Sequence, residues 1–187
     1  MSNEELTDAI VEATKVAWST LQSQFGDETF YGFALSTNHE MSYIGCTAWT
    51  EEGLQEAAEH YGYNSLDEIN DLRFSPADSP LDEIGVEAFS DLVDPLLSGQ
   101  QDLSDDDREN AIAEVFDACV SALKQVETSG LFASVKRDRF VLNIVQGDQS
   151  SNSIVDTAKL LNPKPAVDWL ETFFETSDDG QVDAMIG

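Results

Sequence analysis

The sequence predicts an α+β fold: a single domain, residues 1–187, in which one mixed or antiparallel sheet packs against several helices. Two strand-like runs lie early and one lies late, with helical segments between them and no regular strand-helix alternation, which argues against a doubly wound sheet. Helix-capping signatures recur along the chain. With 187 residues the chain is also long enough to bury roughly 70% of the surface that its unfolded form exposes.

Ser2 and Glu5 have the spacing of a capping box, in which the hydroxyl and the carboxylate satisfy backbone donors that a helix start leaves unpaired. Leu6, Ile10, Ala13, Ala17 and Leu21 then recur at helical spacing, with Trp18 and Phe25 at the edge of that face, until Gly26 and Asp27 close the segment. Residues 29–36 and 42–49 are rich in aromatic and small apolar residues around a polar link, and they read as an antiparallel hairpin. Thr50, Glu51 and Glu52 open the next helix, which stops at Gly62, and Ser65 with Glu68 opens a short one ending near Leu72.

Pro76 and Pro80 make residues 73–80 a loop, because each removes a backbone donor and biases its predecessor away from helix. Pro80 in turn sits where a first helical residue belongs, so a helix is expected from there, with Ile84, Ala88, Leu92, Leu96 and Leu97 as its buried face. The clearest helix follows Ser104, where Ile112, Val115, Phe116, Cys119, Leu123 and Val126 form one unbroken stripe. Residues 131–135 suit a strand, and 140–145 are apolar on both alternating faces, as in a strand at the middle of a sheet. A helix over 154–161 precedes Asn162 and Pro163, a last helix is lined by Val167, Leu170, Phe173 and Phe174, and an acidic tail, expected to be mobile, begins at about Ser177.

Charge is the most unusual property of the chain. It holds 37 Asp and Glu against 9 Lys and Arg, a formal net charge of −28. Acids at that density repel one another and raise the free energy of the compact state, so a use for them is expected beyond solubility. Direct nucleic-acid binding is disfavoured, because the field repels phosphates and the one basic cluster, Lys136, Arg137 and Arg139, reads as a turn making local salt bridges. No run approaches the roughly 18 apolar residues of a membrane span, and acids stand at Glu4 and Glu5 where a signal peptide carries basic residues, so a cytoplasmic protein is expected.

Catalytic and metal chemistry find little footing. Asp105, Asp106 and Asp107 point in different directions at a helix start, where acids gain from the helix dipole, and no further ligands follow at calcium-loop spacing. His39 and His60 form no ligand pair, and Cys46 has no base beside it in sequence. Cys46 and Cys119 are expected as buried thiols, although spacing leaves a disulfide open. A phosphate loop, a dinucleotide fingerprint and a nucleophile elbow are missing from the sequence, so neither enzymatic activity nor a cofactor or metal is expected.

Tyr31, Gly32, Phe33, Ala34 and Leu35, then Trp49 through Leu54, and later Phe140 through Ile144 with Asp148 and Leu161, Asn162 and Pro163, together resemble the bacterial domain-of-unknown-function family 4303 (DUF4303). The resemblance implies a small bacterial α+β protein without an established enzymatic activity, and some members resemble immunity proteins encoded beside polymorphic toxins. The expected function is therefore that of an acidic immunity or antitoxin-like protein. It would bind a cognate, basic, nuclease-type toxin through residues such as Glu51, Glu52, Asp105, Asp106, Asp107 and Asp148. The alternative is a housekeeping protein of a salt-adapted organism, with no basic partner, whose acids keep its surface hydrated.

Overall fold

A computed structural model describes residues 1–99, 103–147 and 149–184, with side chains described as far as Glu175. In chain order the elements are α1 (Asn3–Phe25), β1 (Phe30–Thr37), β2 (Gly45–Thr50), α2 (Glu51–Tyr61), α3 (Leu66–Leu72), a 3-10 turn (Val86–Phe89), α4 (Ser90–Gly99), α5 (Asp105–Thr128), β3 (Val141–Gln146), α6 (Ser151–Leu161) and α7 (Lys164–Ala184). The fold is α+β, and the sheet among the described residues is mixed, in the order β2-β1-β3. Strand β1 pairs antiparallel with β2 and parallel with β3.

Helices cover both faces of this sheet, because β1 is apolar on both sides. A register shift between Phe30 and Gly32 turns Phe30, Phe33 and Leu35 toward one core, shared with α1, α4 and α5. Tyr31 and Ala34 face the other, built with α2, α3, α6 and α7. Gly32 is required there, since a Cβ would stand 2.7 Å from Cε3 of the Trp49 ring.

The capping signatures hold. Ser2 with Glu5 and Ser65 with Glu68 form complete capping boxes, while Thr50 and Ser104 accept from Gly53 and Asp107. Helical backbone extends through Ala184, into the segment where the sequence places an acidic tail.

Three expectations are corrected. Pro80 does not start a helix: residues 80–85 form turns, Glu83 and Gly85 take left-handed φ values of 62° and 87°, and α4 begins only at Ser90. The segment is held out of helical form because it lies along β2, where Glu83 N–H donates to the Cys46 carbonyl (3.2 Å) and Ser79 Oγ to that of Ala48 (2.6 Å). Leu97 is consequently exposed, not part of the core. Residues 131–135 form a turn, not a strand, with Gly130 at φ 81° and Phe132 fully buried. Strand β3 lies at the sheet edge, and the central position belongs to β1.

The outer edge of β3 is closed by side-chain amides. Asn162 accepts from Leu142 N–H and donates to its carbonyl, both at 2.7 Å, while Asn143 Oδ1 accepts from Ile144 N–H and Gln149 Oε1 from Gln146 N–H. A further strand finds its donors taken.

Candidate functional site

Where β1 and β3 end side by side, a cleft of about 620 Å³ opens between the two helical layers. Its floor is Ser36, Thr37, Val145 and Gln146; its walls are residues 73–77, the turn carrying Asp82, Glu83 and Val86, and the start of α6. The carboxyl ends of parallel strands are the usual ligand position in α/β sheets, because the helices that cover the faces leave a crevice there. Non-glycine residues with left-handed backbone gather around it: Phe74 (φ 64°) and Glu83 (φ 62°) line the cleft, and Met41 (φ 51°) touches Gln146 through its sulfur.

One cation lines the cleft, and it is already engaged. Arg73 donates from Nη1 and Nη2 to the two oxygens of Glu51, at 2.9 and 2.8 Å, and its guanidinium lies over the Tyr31 ring at 4.5 Å. Burial works against the Arg73 charge, yet hydrogen bonding to Glu51, the Tyr31 phenol and the Glu51 charge together outweigh it and hold the pKa above the ordinary value. The opposite wall is acidic. Burial raises the Asp82 carboxyl, and the charge of Glu83 adds to the effect; Thr47 Oγ1 lies close enough to oppose the shift but makes no hydrogen bond of normal geometry. Burial and the same two carboxylates also raise the phenol of Tyr43, which lines the cleft beside them.

A second surface joins this one through Asp78. Tyr61 donates to Asp78 Oδ1 (2.9 Å) and Ser75, in the cleft wall, donates to Oδ2 (2.6 Å). Tyr61 stacks on Tyr63 at 5.5 Å, and both rings, with Leu66, are exposed at the turn from α2 to α3. Exposed Glu56, Glu59, Asp67 and Asp71 belong to the same helix pair.

The residues chosen from sequence fall into separate groups. Glu51 is tied to Arg73, and Glu52 accepts from Thr29 N–H (2.7 Å) and Oγ1 (3.1 Å), which lowers its pKa. Both open α2, on one face of the sheet. Asp105, Asp106 and Asp107 are exposed in the first turn of α5, on the other, where Asp107 also accepts from Ser104 Oγ. Asp148 lies outside the described residues. Sequence reasoning missed Tyr43, Arg73, Asp82 and Glu83 as a set; the available signal was Arg73, the only Lys or Arg between Lys15 and Arg108.

His39 Nδ1 pairs with Gln146 Oε1 at 3.0 Å, and His60 packs edge-on against Tyr61. Among the described residues no group of three His, Cys, Asp or Glu is placed to hold a metal ion. Cys46 and Cys119 are buried free thiols pushed up to about 12, chiefly by burial, and are therefore poor nucleophiles. Arg137 of the basic cluster is bound to Glu127 (2.8 Å) and to the Phe140 carbonyl. Among the described residues no helix is long and apolar enough to cross a membrane.

The family model described as Domain of unknown function (DUF4303) matches residues 10–163 of the chain. No curated protein and no solved structure matches the chain.

Proposed function

From a chain that belongs to the DUF4303 family, we propose a non-enzymatic, cytoplasmic binding protein that neutralises a basic bacterial toxin by direct contact. The observation that carries this reading is the exposed Tyr61 and Tyr63 stack, set among the acids of α2 and α3. Interfaces draw most of their affinity from a few aromatic anchors, while surrounding charge speeds encounter and selects the partner. Between Lys15 and Arg108 the only Lys or Arg is Arg73, and Glu51 neutralises it. A cationic partner meets no repelling Lys or Arg in that part of the chain.

The test is a pull-down and neutralisation assay with the protein encoded by the adjacent gene. Binding that weakens with added salt, and about 100-fold with Tyr61→Ala and Tyr63→Ala together, is expected of an aromatic hot spot in an acidic field. If the neighbouring protein is neither bound nor inhibited, the reading fails.

A second reading is favoured by the spread of the acids. Glu4, Asp8 and Glu12 of α1 and Asp105, Asp106 and Glu109 of α5 are also exposed, on the far face from the tyrosines. A hydrated acidic coat of that extent suits a salt-adapted protein, which would lose stability sharply in dilute buffer.

A further inference from the structure

We propose that the cleft at the carboxyl ends of β1 and β3 binds an alkyl chain ending in an ammonium or guanidinium group. This deepens the binding function above by giving one subsite its chemistry, and rests on that reading only for where the cation comes from. At about 620 Å³ the cleft falls within the range of sites that enclose small ligands. Its walls divide by chemistry. Phe74, Val86, Val145 and Ile154 offer apolar surface to a methylene chain, whereas Asp82, Glu83 and the Tyr43 ring stand together on one side.

An aromatic ring beside two carboxylates is a setting that favours a cation, which gains charge-assisted hydrogen bonds and can be drawn to the ring as well. An anion meets only an arginine whose charge a carboxylate already balances: Nη1 and Nη2 of Arg73 each donate to Glu51, and at the start of α6 the Ser153 N–H is bonded to Ser150 Oγ. With the Arg73 and Glu51 pair neutral as a unit, the charge left on the cleft walls among the described residues is that of Asp82 and Glu83.

Calorimetry on the full chain at about 150 mM salt, where surface attraction is largely screened, tests the assignment. The probes are agmatine, the blocked tripeptide acetyl-Gly-Arg-Gly-amide, and the neutral isostere butylurea. Saturable one-to-one binding of a cationic probe is expected. Glu83→Gln and Asp82→Asn together should weaken it by about tenfold or more, as loss of charged hydrogen bonds does. Asp8→Asn with Glu109→Gln, exposed on α1 and α5, should leave it unchanged. Glu83 is exposed, so Glu83→Gln alone, expected to weaken binding in the same direction, keeps the test valid if the double variant misfolds.

Tighter binding of the tripeptide identifies a side chain of a partner protein as the source, and tighter binding of agmatine a free amine. Equal affinity for butylurea, equal affinity in the cleft variants, or no saturable binding overturns the proposal. Toxin neutralisation that persists while no cation binds the cleft removes this inference alone. Cation binding without any neutralised neighbour removes only the function proposed above.

Discussion

On one face of the sheet, Trp18 packs edge-on against Phe30, Phe33, Phe132 and Phe140 at 4.9 to 5.9 Å, and the last three rings are wholly buried. On the other, Phe74 meets Tyr31, Trp49, Trp169 and Phe173 at 5.4 to 5.8 Å, but an arginine and its carboxylate partner stand among them. The first cluster is closed. The second borders a cleft that Phe74 lines together with Asp82 and Glu83, and a pair of exposed tyrosines stands at the turn from α2 to α3. Burial in the first cluster supplies stability, and the border between the two clusters can therefore hold strained backbone at Phe74 on one side and at Met41 and Glu83 on the other, with the half-buried charge of Asp82, features that cost stability and mark places where a protein meets something else.

The largest effect should come from the closed face. Phe132→Ala removes a ring that touches Trp18, Phe33 and Phe140, and a loss of about 3–5 kcal/mol in denaturant unfolding is expected. A much smaller loss would mean that this face is not the better packed one.

Arg73→Ala comes next, at about 3 kcal/mol, since it strips a guanidinium from Tyr31 and leaves Glu51 without its partner. Arg73→Lys should recover only part of this, because an ammonium cannot match the two-pronged geometry. Full recovery by lysine would show that charge alone holds the open face together.

Asn162→Ala, which frees both Leu142 backbone groups at the edge of β3, should cost about 2 kcal/mol. Size-exclusion chromatography should also show added self-association through the uncovered edge.

Asp82→Asn should change stability by less than about 1 kcal/mol, the discount appropriate to a half-exposed group, but with a distinctive pH signature. The carboxyl pKa is raised by folding, so the native state holds its proton more tightly than the unfolded chain and stability falls as pH rises through the folded value. Asparagine removes that contribution. Glu52 has the opposite sign: its pKa is lowered, so its contribution is present above the unfolded value and lost as pH falls, and Glu52→Gln should flatten the acid limb.

The smallest effect on stability belongs to Tyr61→Ala, within about 0.5 kcal/mol as for other exposed positions. Its consequence should appear in partner binding instead. Strong destabilisation would place the tyrosine pair with the structural residues.

Much of the fold was legible because its signals are local. Ser2, Thr50, Ser65 and Ser104 cap the helices that follow them, and the apolar stripe from Ile112 to Val126 identifies α5 from spacing alone. Pro80 misled for the same reason: as a local signal it opens a helix, but pairing of Glu83 with Cys46 along β2 outweighs it. Strand β3 is apolar on both faces as a central strand would be, yet it is an edge whose outward N–H groups donate to Asn162, Asn143 and Gln149. The cleft was not legible, because Arg73, Asp82, Val145 and Phe174 reach it from separate segments. Glu51 and Glu52, expected as exposed partner contacts, are held by Arg73 and Thr29, partners 22 and 23 residues away.

By itself the sequence determined the α+β class, most of the helices, the hairpin and the excess of negative charge, since capping, periodicity and composition act over a turn of helix or need no geometry at all. Only the tertiary structure decided which acids are bound and which are free, which strand is central, and where a cleft opens. Those depend on the packing of segments far apart in the chain, and no local rule encodes their distances.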